Sequence, residues 1–512
     1  MIHRQSKIII FSALLFPVLI YCQSTLTGFT PDEKIAIKQI SIIDSVELDS
    51  TLYEKYFQRL IGGQFNSELI ESAISNVLEY YENNGFPFAN IKINSILINE
   101  DSTKNKFAKI FLDVNKGELQ KLNKVEIEGN TKTDNSVIVN EIRITNDEIY
   151  SQEKIDKIPI VLNKLNFFEA VETPKYYVDN ENKGVLKISI KEKNTNSFDG
   201  IIGYIPSQSE NEKGYLTGFV NIILRNLFGT GRGTSIKWQQ ETSATQELSL
   251  KYLEPWLFDF PFNLSLEFFQ RKQDSSYVKR LFGGNLEFLA TENISAAFIL
   301  ENEIIIPTIS TVSVNTIPKS NSVNTGLKLK VDYRDDIFAP TKGILFGSVY
   351  KFQQKKITSN EVAENVNYHN YELEFGGYLS FFKSQVLSLE IDAKEIIGDY
   401  FNVSDYFQFG GTNSVRGYRE NTFLGNRVIW SNLEYRFLLA QRSYLFTFWD
   451  SGYYLQTNKL AENNIRMEKY INGFGLGLSL ETGLGIMKVS YAVAQGTSLF
   501  DGFIHFGLFN DF

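Results

Sequence analysis

Few residues in this chain could act as nucleophiles, acid–base pairs or metal ligands. There is one cysteine, Cys22, and there are three histidines, His3, His369 and His505. A disulfide within the chain is impossible, and a His/Cys metal site is not supported. A Ser-His-Asp triad would have to use His369 or His505. Both lie in segments that alternate like strands, and neither has a Gly-x-Ser-x-Gly elbow nearby. The residues therefore point away from an enzyme and imply no metal and no cofactor. The formal net charge is −9 and there is no block of Lys and Arg. That points away from nucleic acid, whose phosphates need clustered cations.

The N-terminus reads as a secretory signal over residues 1–22. Arg4 and Lys7 supply the positive start, and the apolar run Ile8 to Ile20 is shorter than the ~20 residues of a spanning helix. Cleavage after Cys22 would leave Ile20 and Cys22 at the recognition positions. A lipid anchor on Cys22 is the alternative, although Tyr21 before it is bulky for such a signal. No later segment is a long apolar run, so the exported chain is either soluble or a membrane barrel. Aromatics make up 14% of the residues, with Phe 41 and Tyr 26. They fit rings at two membrane interfaces, and they fit any β-rich protein.

Residues 31–195 hold two copies of a strand, helix, helix, strand, strand pattern, divided as 31–118 and 119–195. In the first, Ile35 to Ile43 reads as a strand, and Leu52 to Leu60 and Ser67 to Asn84 as helices. Ile70, Ile74, Val77, Leu78 and Tyr81 recur at helical spacing, and Asn83-Asn84-Gly85 stops the helix. Ala108, Ile110, Leu112 and Val114 alternate with Lys109, Phe111 and Asp113 and predict a half-buried strand. In the second copy, Val125 to Glu128 and Val185 to Lys193 read as strands, and 134–142 and 152–166 as helices. Pro159 is expected to kink or shorten the last of these.

From residue 196 to 512 the helical period gives way to segments of ~10 residues that alternate apolar and polar side chains. Tyr371, Leu373 and Phe375 alternate with Glu372 and Glu374. Leu433, Tyr435 and Phe437 alternate with Asn432, Glu434 and Arg436. Phe474, Leu476, Leu478 and Leu480 alternate with Gly475, Gly477, Ser479 and Glu481. A charged face against a Phe/Leu face suits a wet lumen and a lipid exterior; a soluble sandwich shares the alternation. Roughly 16 strands fit. Connections alternate in length: short near 335–342, 382–384 and 481–483, long over 303–324, 397–426 and 454–470. That parity favours an all-β transmembrane barrel of about 16 antiparallel strands behind α+β periplasmic units.

Several segments resemble the BamA/TamA superfamily of outer-membrane assembly and translocation proteins, over essentially the whole mature chain. Tyr80-Tyr81 with Gly85-Phe86-Pro87-Phe88-Ala89, and Ile127-Glu128-Gly129-Asn130 with Leu165-Asn166-Phe167-Phe168, look like POTRA domains. Arg225 to Arg232 (RNLFGTGR) and Tyr252 to Phe258 (YLEPWLF) are similar to the family's first two barrel turns. Asp332 to Asp336 with Pro340-Thr341-Lys342-Gly343 resembles a third. The strongest match is GGTNSVRGY, Gly410 to Tyr418, in the loop after the eleventh strand. The resemblance implies that this loop enters the lumen. There Arg416, set among Gly410, Gly411, Val415, Gly417 and Tyr418, would pair with Asp450 of the Phe-x-Asp-x-Gly motif Phe448 to Gly452. The terminal Phe512 resembles an outer-membrane insertion signal, with Asn510 where a hydrophobic residue is usual.

The resemblance implies insertion or secretion of other polypeptides, with the N-terminal domains in the periplasm. A client strand carries unpaired N–H and C=O groups that are costly in lipid. A barrel whose end strands pair weakly can open and offer them an edge. Gly200 and Gly203 in the first strand, followed by Pro206, and Gly507 and Asn510 in the last, suit such a labile seam; they equally suit barrel curvature. The expected partners are unfolded outer-membrane or secreted client polypeptides, membrane lipid, and accessory periplasmic or lipoprotein subunits. The first reading is an assembly or insertion factor. A dedicated two-partner-type secretion pore is second; two periplasmic domains suit it, but no plug helix or Pro-rich linker is seen between 23 and 34. A passive porin leaves the α/β units unexplained. A carbohydrate-binding barrel would want Trp in long loops, whereas Trp238, Trp256, Trp430 and Trp449 fall in strands or a short turn.

Overall fold

The structure is a computed structural model that describes residues 35–43, 48–206, 214–240, 242–274, 276–308, 317–359, 362–398, 401–458, 465–482 and 485–509. The expected signal segment, with Cys22, and the C-terminal Asn510 and Phe512 lie outside the described residues. The chain divides into two compact units: residues up to Lys121 with Ile149–Gln152, and Leu122–Glu148 with Glu153 onward.

In the first unit, strand Lys106–Asn115 is central. It pairs in parallel with Ala36–Ile42 and antiparallel with Asn90–Glu100. Alternation sends Ala108, Ile110, Leu112 and Val114 to one buried face. Ile110, Leu112 and Val114 join a core with Ile70, Ile74, Val77 and Tyr81 of helix Ser67–Asn83. That helix starts where the Asn66 side chain accepts the Glu68 N–H at 2.8 Å. The segment expected as one helix over 52–60 is instead three turns: α at Ser50–Leu52, π at Tyr53–Phe57 and 3-10 at Gln58–Leu60. Leu52 and Phe57 are both buried in the same core. A spacing of five residues reaches one face only if the turn widens.

The second α/β unit repeats the topology. Strand Gly184–Ser189 pairs in parallel with Lys124–Glu128 and antiparallel with Lys175–Val178. Helix Asn135–Ile142 and helix Gln152–Lys164 complete it. Pro159 does not shorten the second helix, which runs through it to Lys164. Ile155, Ile158 and Leu162 are all buried, and their packing offsets the hydrogen bond that Pro159 cannot donate.

The rest is one sheet of 16 strands, each antiparallel to its neighbour in sequence. The first strand is Ser197–Ile205 and the last is Phe503–Phe509. Its polarity decides between membrane barrel and soluble sandwich. On the twelfth strand, Arg427–Ala440, Leu433, Tyr435 and Phe437 face outward and exposed, whereas Glu434 and Arg436 are buried. On the fourteenth, Ile465–Thr482, Phe474 and Leu476 are exposed and Ser479 is buried. A soluble sandwich buries its apolar face; here the buried face carries the ions, so the apolar face meets lipid.

The loop-length parity is weaker than the sequence suggests. Much of 303–324 and 454–470 is strand: Ile294–Pro307, Lys319–Asp332, Ser443–Asn458 and Ile465–Thr482. The ninth and tenth strands, Gly343–Ser359 and Val362–Phe382, pair up to Ser359 opposite Val362. Polar residues beyond the apolar band stay in the ladder; Asn302 Nδ2 donates to Asn321 Oδ1 across it at 2.8 Å. Residues 398–426, between the eleventh strand Gln385–Ile397 and the twelfth, do form a long connection.

A fragment of residues 196–512 refolded in detergent is therefore expected to give a β-dominated circular dichroism spectrum and heat-modifiable gel migration. A water-soluble monomeric fragment would contradict the inverted polarity.

Candidate functional site

The long connection folds back as a hairpin, Phe407–Phe409 against Phe423–Gly425. Aromatic packing fixes its stem. Phe409 stacks on Trp430 with centroids 5.9 Å apart, and Phe423 lies 5.4 Å from Tyr454. At its root, Asp405 forms a buried ion pair with Lys355 of the ninth strand. The tip is GGTNSVRGY. Gly410, Gly411 and Gly417 all have positive φ. The Gly410 N–H donates to Ser414 Oγ at 2.7 Å, and the Gly411 N–H to the Val415 carbonyl at 3.0 Å.

The tip delivers Arg416 to the inner wall, where it is 6% exposed. Its Nε and Nη2 donate to the two carboxylate oxygens of Asp450 at 2.7 and 2.8 Å. Its backbone N–H donates to the same carboxylate at 2.9 Å. Nη1 donates to Glu434 Oε1 at 2.8 Å, and Glu434 Oε2 accepts from Arg436 Nε at 2.8 Å. The result is an alternating chain of two cations and two anions, each charge facing its opposite. The planar guanidinium suits this because it binds one carboxylate with two donors and still reaches a second.

The Phe-x-Asp-x-Gly motif follows from the period of a strand. Phe448, Asp450 and Gly452 sit two apart on the thirteenth strand and share its inner face. The Phe448 ring lies 3.6 Å from the Arg416 guanidinium. Asp450 takes the charge. Gly452 makes room: a Cβ there would come within 2.9 Å of both Val415 Cγ2 and Ile471 Cγ1. Val415 is fully buried and belongs to the aromatic cluster of the stem. Gly417 is equally constrained, since at φ +94° an added Cβ would lie 2.9 Å from the backbone of Val493 and Ala494. Tyr418 donates its hydroxyl to the Asn472 carbonyl at 3.1 Å.

Sequence reasoning misses two partners of this loop. Glu434 is visible there only as the polar half of an alternating strand. His505 is visible only as a scarce histidine, yet Gly417 donates its N–H to it at 2.9 Å. The seam residues are placed apart from this cluster. Gly200 and Gly203 lie on the first strand, opposite Val220 and Thr217 of the second, Tyr215–Leu227. Gly507 lies on the last strand opposite Lys488. Among the described residues the pairing runs linearly from first strand to last, without a rung between the two ends.

The first two barrel turns form a second contact region. The turn after the second strand holds the second α/β unit: Asn226 Nδ2 donates to Thr133 Oγ1 at 2.7 Å, and Asp134 N–H to the Gly229 carbonyl at 2.9 Å. The next periplasmic turn presents Trp256, whose Nε1 donates to Glu141 at 2.8 Å. Lys164 donates to Asn293 Oδ1 at 3.0 Å beyond the sixth strand. Glu192 organises the docked segment. Its carboxylate accepts from the Thr131 hydroxyl at 2.7 Å, the Thr133 N–H at 2.7 Å and the Lys132 N–H at 3.0 Å. Burial pushes the Glu192 carboxyl up, but these donors outweigh it and hold it at about 2.

Two α/β units, an inverted sixteen-strand sheet and an arginine loop held by an aspartate define the class: an outer-membrane barrel carrying periplasmic POTRA domains. The chain belongs to the Omp85 superfamily, whose domain matches residues 226–509. Residues 120–193 match the POTRA domain, described as a surface antigen variable number repeat. The chain is 22% identical over 381 residues to the outer membrane protein assembly factor BamA of Nitratidesulfovibrio vulgaris, covering 70% of this chain and 46% of that protein. It is 24% identical over 332 residues to the BamA of Neorickettsia risticii, covering 60% and 41%. It thus spans less than half the length of these relatives. Its fold is similar to that of Haemophilus ducreyi BamA lacking POTRA domains 1–3, with a TM-score of 0.51 at 16% identity, covering 92% of this chain and 98% of that one. It is also similar to CdiB from Escherichia coli, with a TM-score of 0.52 at 11% identity, covering 96% and 92%.

Removing one partner of a buried ion pair costs on the order of 3–5 kcal/mol. Arg416→Ala strands Asp450 and leaves Glu434 with Arg436 alone, so it should be the more damaging change; Asp450→Ala leaves Arg416 with Glu434. The double variant should be less destabilised than the sum of the two, and Arg416→Lys, lacking the fork, should restore stability only in part. A double-mutant cycle on the urea unfolding midpoint checks this, and additive defects would show that the contact does not matter. For Glu192 the depressed folded value means stability that is present above about pH 4.5 and lost as pH falls toward about 2. The stability gap between the parent chain and Glu192→Gln should therefore narrow between pH 5 and 2. A gap that stays constant would rule out the carboxylate as its source.

Proposed function

We propose that the protein is an outer-membrane assembly factor. In this reading its periplasmic domains, residues 31–118 and 119–195, engage unfolded β-barrel clients. The barrel, 196–512, inserts them at a seam between its first and last strands. The observation that carries the reading is the pair of sheet ends. Among the described residues the first strand, Ser197–Ile205, pairs only with the second, and the last, Phe503–Phe509, pairs only with the fifteenth, Gly485–Ala494. End strands bearing Gly200, Gly203 and Gly507 hold a ladder weakly, and a client strand needs the rungs they would release. The first α/β unit offers an edge of its own: among the described residues Asn90–Glu100 pairs on one side only and exposes Ile93, Leu97 and Ile98. Membrane lipid and accessory periplasmic or lipoprotein subunits are the remaining partners of this reading, and no step in it calls for catalysis.

The two-unit arm supports a second reading, a dedicated secretion pore for one partner. Depletion of the protein followed by a survey of outer-membrane proteins separates the two. Loss of many barrels supports the insertase; loss of a single secreted protein supports the pore.

Cys22 is the only cysteine of the chain, so a disulfide engineered between the first and last strands has no competitor in the barrel. The locked protein should keep its heat-modifiable fold and lose client insertion, with activity returning on reduction. Full activity in the quantitatively oxidised protein would refute gating at the seam.

A further inference from the structure

Among the described residues the side chain of His505 fastens the last strand to the arginine loop. His505 faces inward and is 6% exposed, while its neighbours Ile504 and Phe506 face outward. Both of its ring nitrogens meet the loop. The Gly417 N–H donates to Nε2 at 2.9 Å, and Nδ1 lies 3.3 Å from Thr412 Oγ1. The Thr412 hydroxyl already donates to Glu420 Oε1 at 2.6 Å. Nε2 must accept from a backbone N–H, and a hydroxyl that has given its proton to a carboxylate can only accept. This assigns His505 as a neutral imidazole protonated at Nδ1. Gly417 directly follows Arg416, so the imidazole is one residue from the buried ion pairs.

The attachment bears on the end of the sheet. Among the described residues the last strand pairs with the fifteenth, from Ile486 opposite Phe509 to Ala492 opposite Phe503, and no strand lies on its other side. His505 sits opposite Ser490, in the middle of that ladder. A contact from inside the lumen therefore holds the strand at its centre.

We propose that His505 is a latch: a positioning residue through which the arginine loop sets how freely the last strand departs from the wall and offers its outer edge. The latch rests on the seam reading above and adds the residue that regulates it. A histidine that merely fills space predicts something different. His505→Phe keeps a buried ring and loses the acceptor. His505→Gln places a carbonyl oxygen near the position of Nε2 and keeps it. Thr412→Val is the milder third variant, since of the two contacts of His505 it removes only that of Nδ1, together with the hydrogen bond to Glu420 within the loop.

The test uses the full-length protein in nanodiscs, each variant first checked for heat-modifiable migration. Backbone hydrogen–deuterium exchange of segment 503–509 is measured beside client insertion. His505→Phe should raise exchange in the last strand by about five-fold or more, the factor that a hydrogen bond of ordinary strength contributes. Thr412→Val should raise it less, and His505→Gln should stay near the parent value. A cysteine pair at positions 416 and 450 should crosslink equally with and without the His505→Phe change, because the aromatic stem, not the latch, places the loop tip. If His505→Phe exchanges like the parent, or His505→Gln is as loose as His505→Phe, the latch is overturned. If exchange rises while insertion is unchanged, the latch stands and the seam reading falls.

Discussion

A guanidinium shut inside a barrel lumen has to be neutralised where it sits. Water cannot do it, so carboxylates must, and they must be rigid because the side chain that brings the charge comes from a loop. Asp450 and Glu434 are rigid because they stand on adjacent, paired strands of the same wall. The loop becomes rigid in turn by what it must do to reach them. It folds as a hairpin, packs its aromatic stem on Trp430 and Tyr454, and roots Asp405 on Lys355. Glycines stand where it turns and where the wall comes close. The cost of the buried charge is thus offset by a set of contacts that reach from the ninth strand to the sixteenth.

The same electrostatic logic explains the wall. In most folded domains apolar burial drives the sheet together. Here the buried face carries Lys355, Glu434, Arg436 and Asp450, and the exposed face carries Leu373, Trp449, Leu476 and Phe506. Backbone pairing holds such a sheet together, since in lipid every N–H and C=O must find its partner within the sheet. That condition is demanding at the two ends, where a strand has a neighbour on one side only.

What is legible in the sequence, and what is not, follows from the range of each interaction. Alternation is local, so strands such as Leu433 to Phe437 and Phe474 to Leu480 are readable from a few residues. The helix face of Ile70, Ile74, Val77 and Tyr81 is readable in the same way. Interactions between distant segments are not. Nothing near Glu434 announces that Arg416 will arrive beside it, and nothing near His505 announces Gly417. Arg416 and Asp450 can be named together only because their motifs resemble a known family. The strand ends at Glu303 and Asn321 look like loop because the pairing that keeps them in the ladder is invisible in sequence. The π turn at Tyr53–Phe57 and the intact helix around Pro159 are tertiary packing overriding local preference.

The two sets of contacts that brace the barrel divide it in a consequential way. The arginine loop touches the ninth strand through Lys355 and the last five through Trp430, Asp450, Asn472, Ala494 and His505. The second α/β unit touches the turns around Asn226, Trp256 and Asn293, which follow the second, fourth and sixth strands. One brace therefore serves the C-terminal half of the sheet and the other the N-terminal half. A displacement of the last strand would load the arginine brace at His505 and the second α/β unit not at all. Its cost is confined to whatever rungs join the two ends and, on the C-terminal side, to the hydrogen bonds of His505. A barrel arranged in this way can be stiff over most of its circumference and yielding along one line. Both properties are needed at once if a lipid-embedded sheet is to stay folded while it lends an edge to another chain.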